Sequence, residues 1–236
     1  MNRDQKREAK VSFGIPLPDL AYARFRREMC IAAKIYEANH EADISTSGAI
    51  IVSKARDKDS YDIYGTAFGE NIKVIDSLAN AVIIKLKECI PPIKEIQEKI
   101  LKQYMDTFLN TAVDIIFSEN DEGKIKDIEP DLLYPFYRSE YIKSDESPNT
   151  VRQSSGILMI SNETKEETKE KSLSIMVFGS VRNVINTLTL TLIYKLKEDI
   201  VPTNEARETV LTEFMSAFYN AANNEFFGDN QFHVKE

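Results

Sequence analysis

A chain of 236 residues with 42% hydrophobic and 29% charged residues has the make-up of a globular protein, long enough to bury a core without staples. Its formal net charge of −8 argues against general nucleic-acid binding, which needs a basic surface. No apolar run nears the roughly 20 residues that a membrane-crossing helix requires, and the charged first ten residues lack the apolar core of a signal peptide, so a cytoplasmic location is expected. The charge is uneven: residues 1–117 hold 17 basic and 17 acidic residues, and residues 118–236 hold 13 and 21. The two cysteines, Cys30 and Cys89, lie in apolar helical contexts and are expected to be buried, reduced thiols.

Residues 1–14 form an N-terminal arm whose charges (Arg3, Asp4, Lys6, Arg7, Glu8, Lys10) are too mixed for a nucleic-acid arm. A helix is predicted from 18 to about 42, opened by Pro18-Asp19, because aspartate accepts hydrogen bonds from the open amides of a helix start. A strand over 48–53 is apolar throughout and should be buried on both faces. A polar turn over 54–60 leads to a second strand over 61–68. The Phe68-Gly69 step enters a helix with an apolar stripe at Ile75, Leu78, Ala79, Val82 and Leu86, which is helical spacing. Pro91-Pro92 ends it. A last helix over 93–117 carries Leu101, Tyr104, Met105, Phe108 and Ala112 on one side. The linker over 118–127 contains Glu119, Asp121, Glu122 and Gly123. These superficially resemble a calcium loop, but the ligand spacing is incomplete and a solvated acidic linker is the simpler expectation.

The same order then returns. With an offset of 110, residues 68–113 and 178–223 share 19 identities in 46 ungapped positions, among them Lys85-Leu86-Lys87-Glu88 against Lys195-Leu196-Lys197-Glu198. Upstream, Ser47-Gly48 pairs with Ser155-Gly156, and Asp19, Tyr22, Arg26 and Glu28 pair with Asp131, Tyr134, Arg138 and Glu140. The second copy is expected to have a shorter first helix, because Pro135 interrupts the pattern and 144–153 reads as loop. Strands follow over 156–161 and 172–178, around a solvated turn at 162–171. Helices after Gly179 and over 203–227 complete it. The units are therefore 15–117 and 128–227, with a C-terminal tail over 228–236. The expected fold is α+β: a tandem duplication of an α-β-β-α-α unit. A lone hairpin is marginal, so the two hairpins should join in one antiparallel sheet of about four strands flanked by helices, with pseudo-two-fold symmetry like a fused homodimer. Two separately folded units on a linker are the alternative.

Catalytic signatures are missing. Only His40 and His233 exist, neither with a partner at motif spacing. No metal spacing, Walker-type loop or dinucleotide fingerprint is present, so no metal or cofactor is expected. An enzyme using carboxylates and tyrosine, such as a phosphodiesterase or nuclease, is the least favoured class.

Three features bear on function. Gly69 with Lys73, and Gly179 with Arg182, stand at helix starts where free amides can hold an anion; a tight turn plus a cap, with glycine needed for close packing, is the simpler expectation, because one glycine is not a phosphate loop. Asp19, Tyr22 and Arg26, matched by Asp131, Tyr134 and Arg138, make either a symmetric recognition face or a cap, a packed ring and a same-helix ion pair. The aromatic run 133–137, with Tyr141, suits a partner surface or the seam where the linker packs on the core.

The strand, polar turn, Gly-ended strand and V-I-x-x-L helix of each unit resemble small accessory proteins of phages and mobile elements of low-GC Gram-positive bacteria, some of them anti-CRISPR-like inhibitors of defence systems. The resemblance implies a phage-type protein acting in a bacterial host cell by stoichiometric binding, without catalysis. Its partner would be a host defence protein; were that protein to bind nucleic acid, the acidic second half, read from the charge distribution, could cover its basic surface. Tyr22, Arg26, Tyr134, Tyr137 and Arg138 are the candidate contacts. The alternative is a sponge for a nucleotide-like signal, with Gly69, Lys73, Gly179 and Arg182 lining symmetric anion sites.

Overall fold

The computed structural model of the chain describes residues 17–38, 45–55, 61–118, 125–146, 154–163 and 171–228. Both histidines, the acidic stretch 119–123, most of the 54–60 and 162–171 turns, the N-terminal arm and most of the C-terminal tail lie outside them. In chain order the elements are α1 (Leu17–Glu37), β1 (Thr46–Ala55), β2 (Tyr61–Phe68), α2 (Asn71–Cys89), α3 (Lys94–Ile116), β3 (Lys126–Asp127), α4 (Pro130–Glu146), β4 (Ser154–Glu163), β5 (Lys171–Phe178), α5 (Val181–Asp199) and α6 (Asn204–Phe227). Pro135 is accommodated inside α4, which continues to Glu146.

The strands form one mixed sheet in the order β3-β2-β1-β4-β5. The expected four strands become five, because Lys126-Asp127 of the linker pairs in parallel with Tyr64-Gly65 at the β2 edge. All other pairings are antiparallel. At the centre, Ile50 faces Leu158, while Gly48 faces Ile160 and Val52 faces Gly156. Residues that align between the halves therefore pair symmetrically about the Ile50–Leu158 contact. The hairpins share one sheet instead of belonging to separate units.

Helices cover both faces, so β1 and β4 are apolar on both, as fully buried strands must be. Ala49, Ile51, Ile157 and Met159 face α2 and α5 in the larger core, which continues outward to α3 and α6. Ile50, Val52, Leu158 and Ile160, with Phe25, Phe68, Tyr137 and Phe178, form the smaller core under α1 and α4. Each large side chain fully buried there stabilises the fold by about 1.5–3 kcal/mol. Buried hydroxyls tie the sheet to the helices: Ser53 Oγ lies 2.9 Å from Ser155 Oγ and 2.6 Å from Thr187 Oγ1, and Ser47 Oγ lies 3.0 Å from Ser77 Oγ. Because these groups partner one another, their burial carries little penalty. On the outer helix layer, Phe108 meets its counterpart Phe218 with ring centroids 5.8 Å apart.

The cysteines correct the sequence expectation: Cys30 and Cys89 are free and exposed. The inward side of α1 carries Phe25, Glu28 and Ala32, and Cys30 falls off it. Cys89 is the last residue of α2, past the packed stripe that ends at Leu86.

Candidate functional site

The aligned polar residues of α1 and α4 meet, but each pairs with the opposite helix. The Tyr22 hydroxyl donates to Asp131, and the Tyr134 hydroxyl donates to Asp19. Arg138 donates to both oxygens of Asp19 at 2.7 and 3.0 Å, and Arg26 lies 3.0 Å from Asp131. The Tyr22 and Tyr134 rings stack. Arg26 and Arg138 were expected to pair with a glutamate on their own helix; they close a reciprocal clasp between the halves instead. Arg138, by hydrogen bonding, holds the Asp19 carboxyl below its ordinary range; burial opposes this and Tyr134 reinforces it. Burial, then the hydrogen-bonded aspartate, pushes both phenols well up. Tyr137 is fully buried and donates to the Met176 carbonyl at 2.8 Å, so a docking partner does not reach its ring.

The two strand-to-helix steps show why glycine stands there. Gly69 and Gly179 have φ of 99° and 104°, a conformation that favours glycine. A Cβ would come within 2.8 Å of Thr46 O at Gly69 and 2.7 Å of Ser155 Cβ at Gly179. The following helix starts differ. Ser180 accepts from the Asn183 amide and caps α5, whereas Glu70 gives α2 no side-chain cap. Lys73 lies 3.5 Å from Glu70, and Arg182 is exposed. The two pairs do not converge on one pocket.

Two grooves that the sequence did not reveal lie on the outer α3–α6 face. The first, about 620 Å³, is lined by Leu101, Met105, Tyr219 and Phe227 with Lys94, Glu98 and Lys102. The second, about 600 Å³, is lined by Leu109, Phe117, Leu211 and Met215 with Val113, Glu208 and Thr212. Shifting by 110 carries one set onto the other: Leu101 to Leu211, Met105 to Met215, Leu109 to Tyr219, Phe117 to Phe227. The apolar floor is thus presented twice with different charge, two lysines and a glutamate on one rim and a single glutamate on the other. The signal was present in the sequence: Leu109 and Val113 are apolar yet stand beside the inward stripe of Leu101, Phe108, Ala112 and Ile116.

A third concavity, about 250 Å³, lies between the β2–β3 edge and helices α2 and α5. Ala49, Gly65 and Ala67 form its floor, and Asn71, Asp127, Lys195 and Glu198 stand around it.

Among the described residues no group of three or more His, Cys, Asp or Glu could hold a metal ion, and no helix is long and apolar enough to cross a membrane. Comparison of the chain with protein-family models, with curated proteins and with solved structures yields no match.

Proposed function

We propose that the chain is a non-catalytic binding protein that acts by occupying a protein target stoichiometrically, through the α3–α6 grooves. The observation that carries this is the repetition of one apolar groove by aligned residues, with Leu109 and Tyr219 left 40% and 47% exposed on its walls. Grooves lined by Met, Leu and aromatic side chains take the apolar face of an amphipathic helix, and methionine adapts its shape to the ligand. Different charges on the two rims suit a target that is not itself two-fold symmetric. The wider scaffold we infer to be a tandem duplication fused into one pseudo-two-fold body. As target we favour a bacterial defence protein, on the resemblance to phage accessory proteins and on the acid excess of residues 118–236, which complements a nucleic-acid-binding surface.

The test is affinity capture from bacterial lysate with matched variants. Leu109→Lys and Tyr219→Lys together should abolish capture of a specific protein while leaving the melting temperature near that of the parent. Leu132→Lys, on the far face and 70% exposed, should leave capture intact. Capture that is indifferent to the groove lysines, or lost equally with Leu132→Lys, rules the grooves out.

A further inference from the structure

The 250 Å³ hollow lies on the β2 side of the sheet, walled by α2 and, from the second half, by Thr191, Lys195 and Glu198 of α5, and the aligned sheet positions on the other side show why it opens here. The positions aligned with Ala49, Gly65 and Ala67 are Ile157, Ile175 and Val177. Ile157 is fully buried in the larger core, and Ile175 and Val177 pack against it. The same space that three branched side chains fill on one side is left open on the other. At Gly65 the opening is also pinched by the linker: a Cβ there would stand 3.1 Å from Ile125 Cγ2.

One wall of the hollow carries an unpaid polar group. Thr191 is 3% exposed and lines it, and its Oγ1 has no hydrogen-bond partner. Its aligned residue in the first half is Ala81, which has no such group. A buried hydroxyl without a partner is uncommon and costs free energy unless something binds it. Around it, Val74 and Leu78 of α2 and Ile51 of the sheet are apolar.

The rim is acidic. Two carboxylates, Asp127 and Glu198, and one cation, Lys195, line it, and Lys195 Nζ lies 2.7 Å from Glu198. Glu198 and Asp199 end α5, where the carbonyl end of the helix adds partial negative charge. At the start of α2, Asn71 Nδ2 donates to Asp199 at 2.7 Å, closing that side. Phosphates and carboxylates are disfavoured here; a protonated amine is not.

We propose that this hollow binds a small protonated amine with a single ring, the ammonium held at the rim by Asp127 and Glu198, and a ring hydroxyl meeting Thr191 Oγ1 at depth. The size agrees: an apolar cavity of about 150 Å³ accommodates benzene, and the hollow is larger by roughly a short side chain. The site is independent of the α3–α6 grooves and requires no partner protein.

Tyramine is the probe, with phenethylamine as the amine that lacks the hydroxyl and adenosine monophosphate and benzoate as anionic ring compounds. Isothermal titration on the full chain should give a one-to-one complex with tyramine, weaker binding of phenethylamine, and none of either anion. Ala49→Ile with Ala67→Val, side-chain choices the other half already uses, should abolish binding. Asp127→Asn, at an exposed position, should weaken it by about three- to fivefold, the range of one exposed ion pair, while the fold is retained. Absence of tyramine binding, equal binding of the anions, or unchanged binding in the filled variant would overturn the assignment. Should the filled variant not fold, Asp127→Asn decides alone: unchanged affinity there refutes the rim.

Discussion

The ring of Tyr22 lies on the ring of Tyr134, 3.8 Å between centroids and 3° from parallel. These residues occupy the same place in the two halves, and so do Ile50 and Leu158 in the sheet and Phe108 and Phe218 in the outer layer. In each of the three layers one such aligned pair is in contact. Around the tyrosine stack, each aspartate receives the tyrosine and the arginine of the opposite helix, so the clasp ties α1 to α4 without any contact of high sequence proximity.

The clasp is symmetric in partners but not in environment. The Asp19 side chain is 26% exposed, whereas that of Asp131 is 60% exposed. Removing a carboxylate that accepts charge-assisted bonds in a partly enclosed site costs about 1–3 kcal/mol, and an exposed one contributes up to about 1 kcal/mol. Asp19→Asn should therefore lower stability in urea unfolding clearly more than Asp131→Asn. Equal losses would show that the difference in enclosure is irrelevant.

The same group sets a pH dependence. Asp19 is held below its ordinary value, so its contribution is complete above that value and is lost as pH falls through the lowered one. The stability gap between the parent and Asp19→Asn should stay level near neutrality and close in acid, below about pH 4. Tyr22 and Tyr134 are pushed up, so their contribution is complete below the ordinary phenol range and is lost only as pH rises beyond it. Tyr22→Phe and the parent should then differ by a constant amount from mildly acid to mildly basic pH, measured by thermal unfolding across that range.

Gly69→Ala and Gly179→Ala should each destabilise by about 1–3 kcal/mol, because both need positive φ and both would press a Cβ on the neighbouring strand. A fall of several degrees in melting temperature is the expected readout. Full tolerance of alanine at either step would mean that the strand-to-helix turn adopts another geometry.

Cys30 and Cys89 should both react with a thiol reagent in the folded protein, giving two equivalents without denaturant. Burial, followed by the Glu88 charge, raises the Cys89 thiol, and nearby Lys85 only partly offsets this. Thiolate is the reactive form, so the modification rate of Cys89 should keep climbing with pH well above neutrality, resolved by peptide mapping.

Much of the architecture was legible because it rests on local patterns. The Ile50-Ile51-Val52 and Ile157-Leu158-Met159-Ile160 runs marked strands buried on both faces, and glycine followed by a 3.6-period stripe marked α2 and α5. The strands run two residues further at each end than hydrophobicity indicated, since polar Thr46 and Ser47 pair with Asn162 and Ser161. β3 was invisible: two exposed charged residues carry no strand signal, and only the open edge of β2 makes them one. The clasp was half legible. Its residues stood out as a repeated motif, but helical periodicity describes neighbours on one helix and says nothing of an aspartate on another. The grooves were half legible too: Leu109 and Val113, apolar beside the inward stripe, signalled an exposed apolar face, but a groove is a space between two helices and takes shape only once α3 and α6 lie side by side.

Amide hydrogen exchange on the purified complex with a captured target tests the groove surface most directly. Slowed exchange confined to Lys94–Ile116 and Asn204–Phe227, with α1 and α4 unchanged, is the expected result. Protection over α1 and α4, with the groove helices exchanging as in the free protein, would place the target on the opposite side and contradict the proposed function.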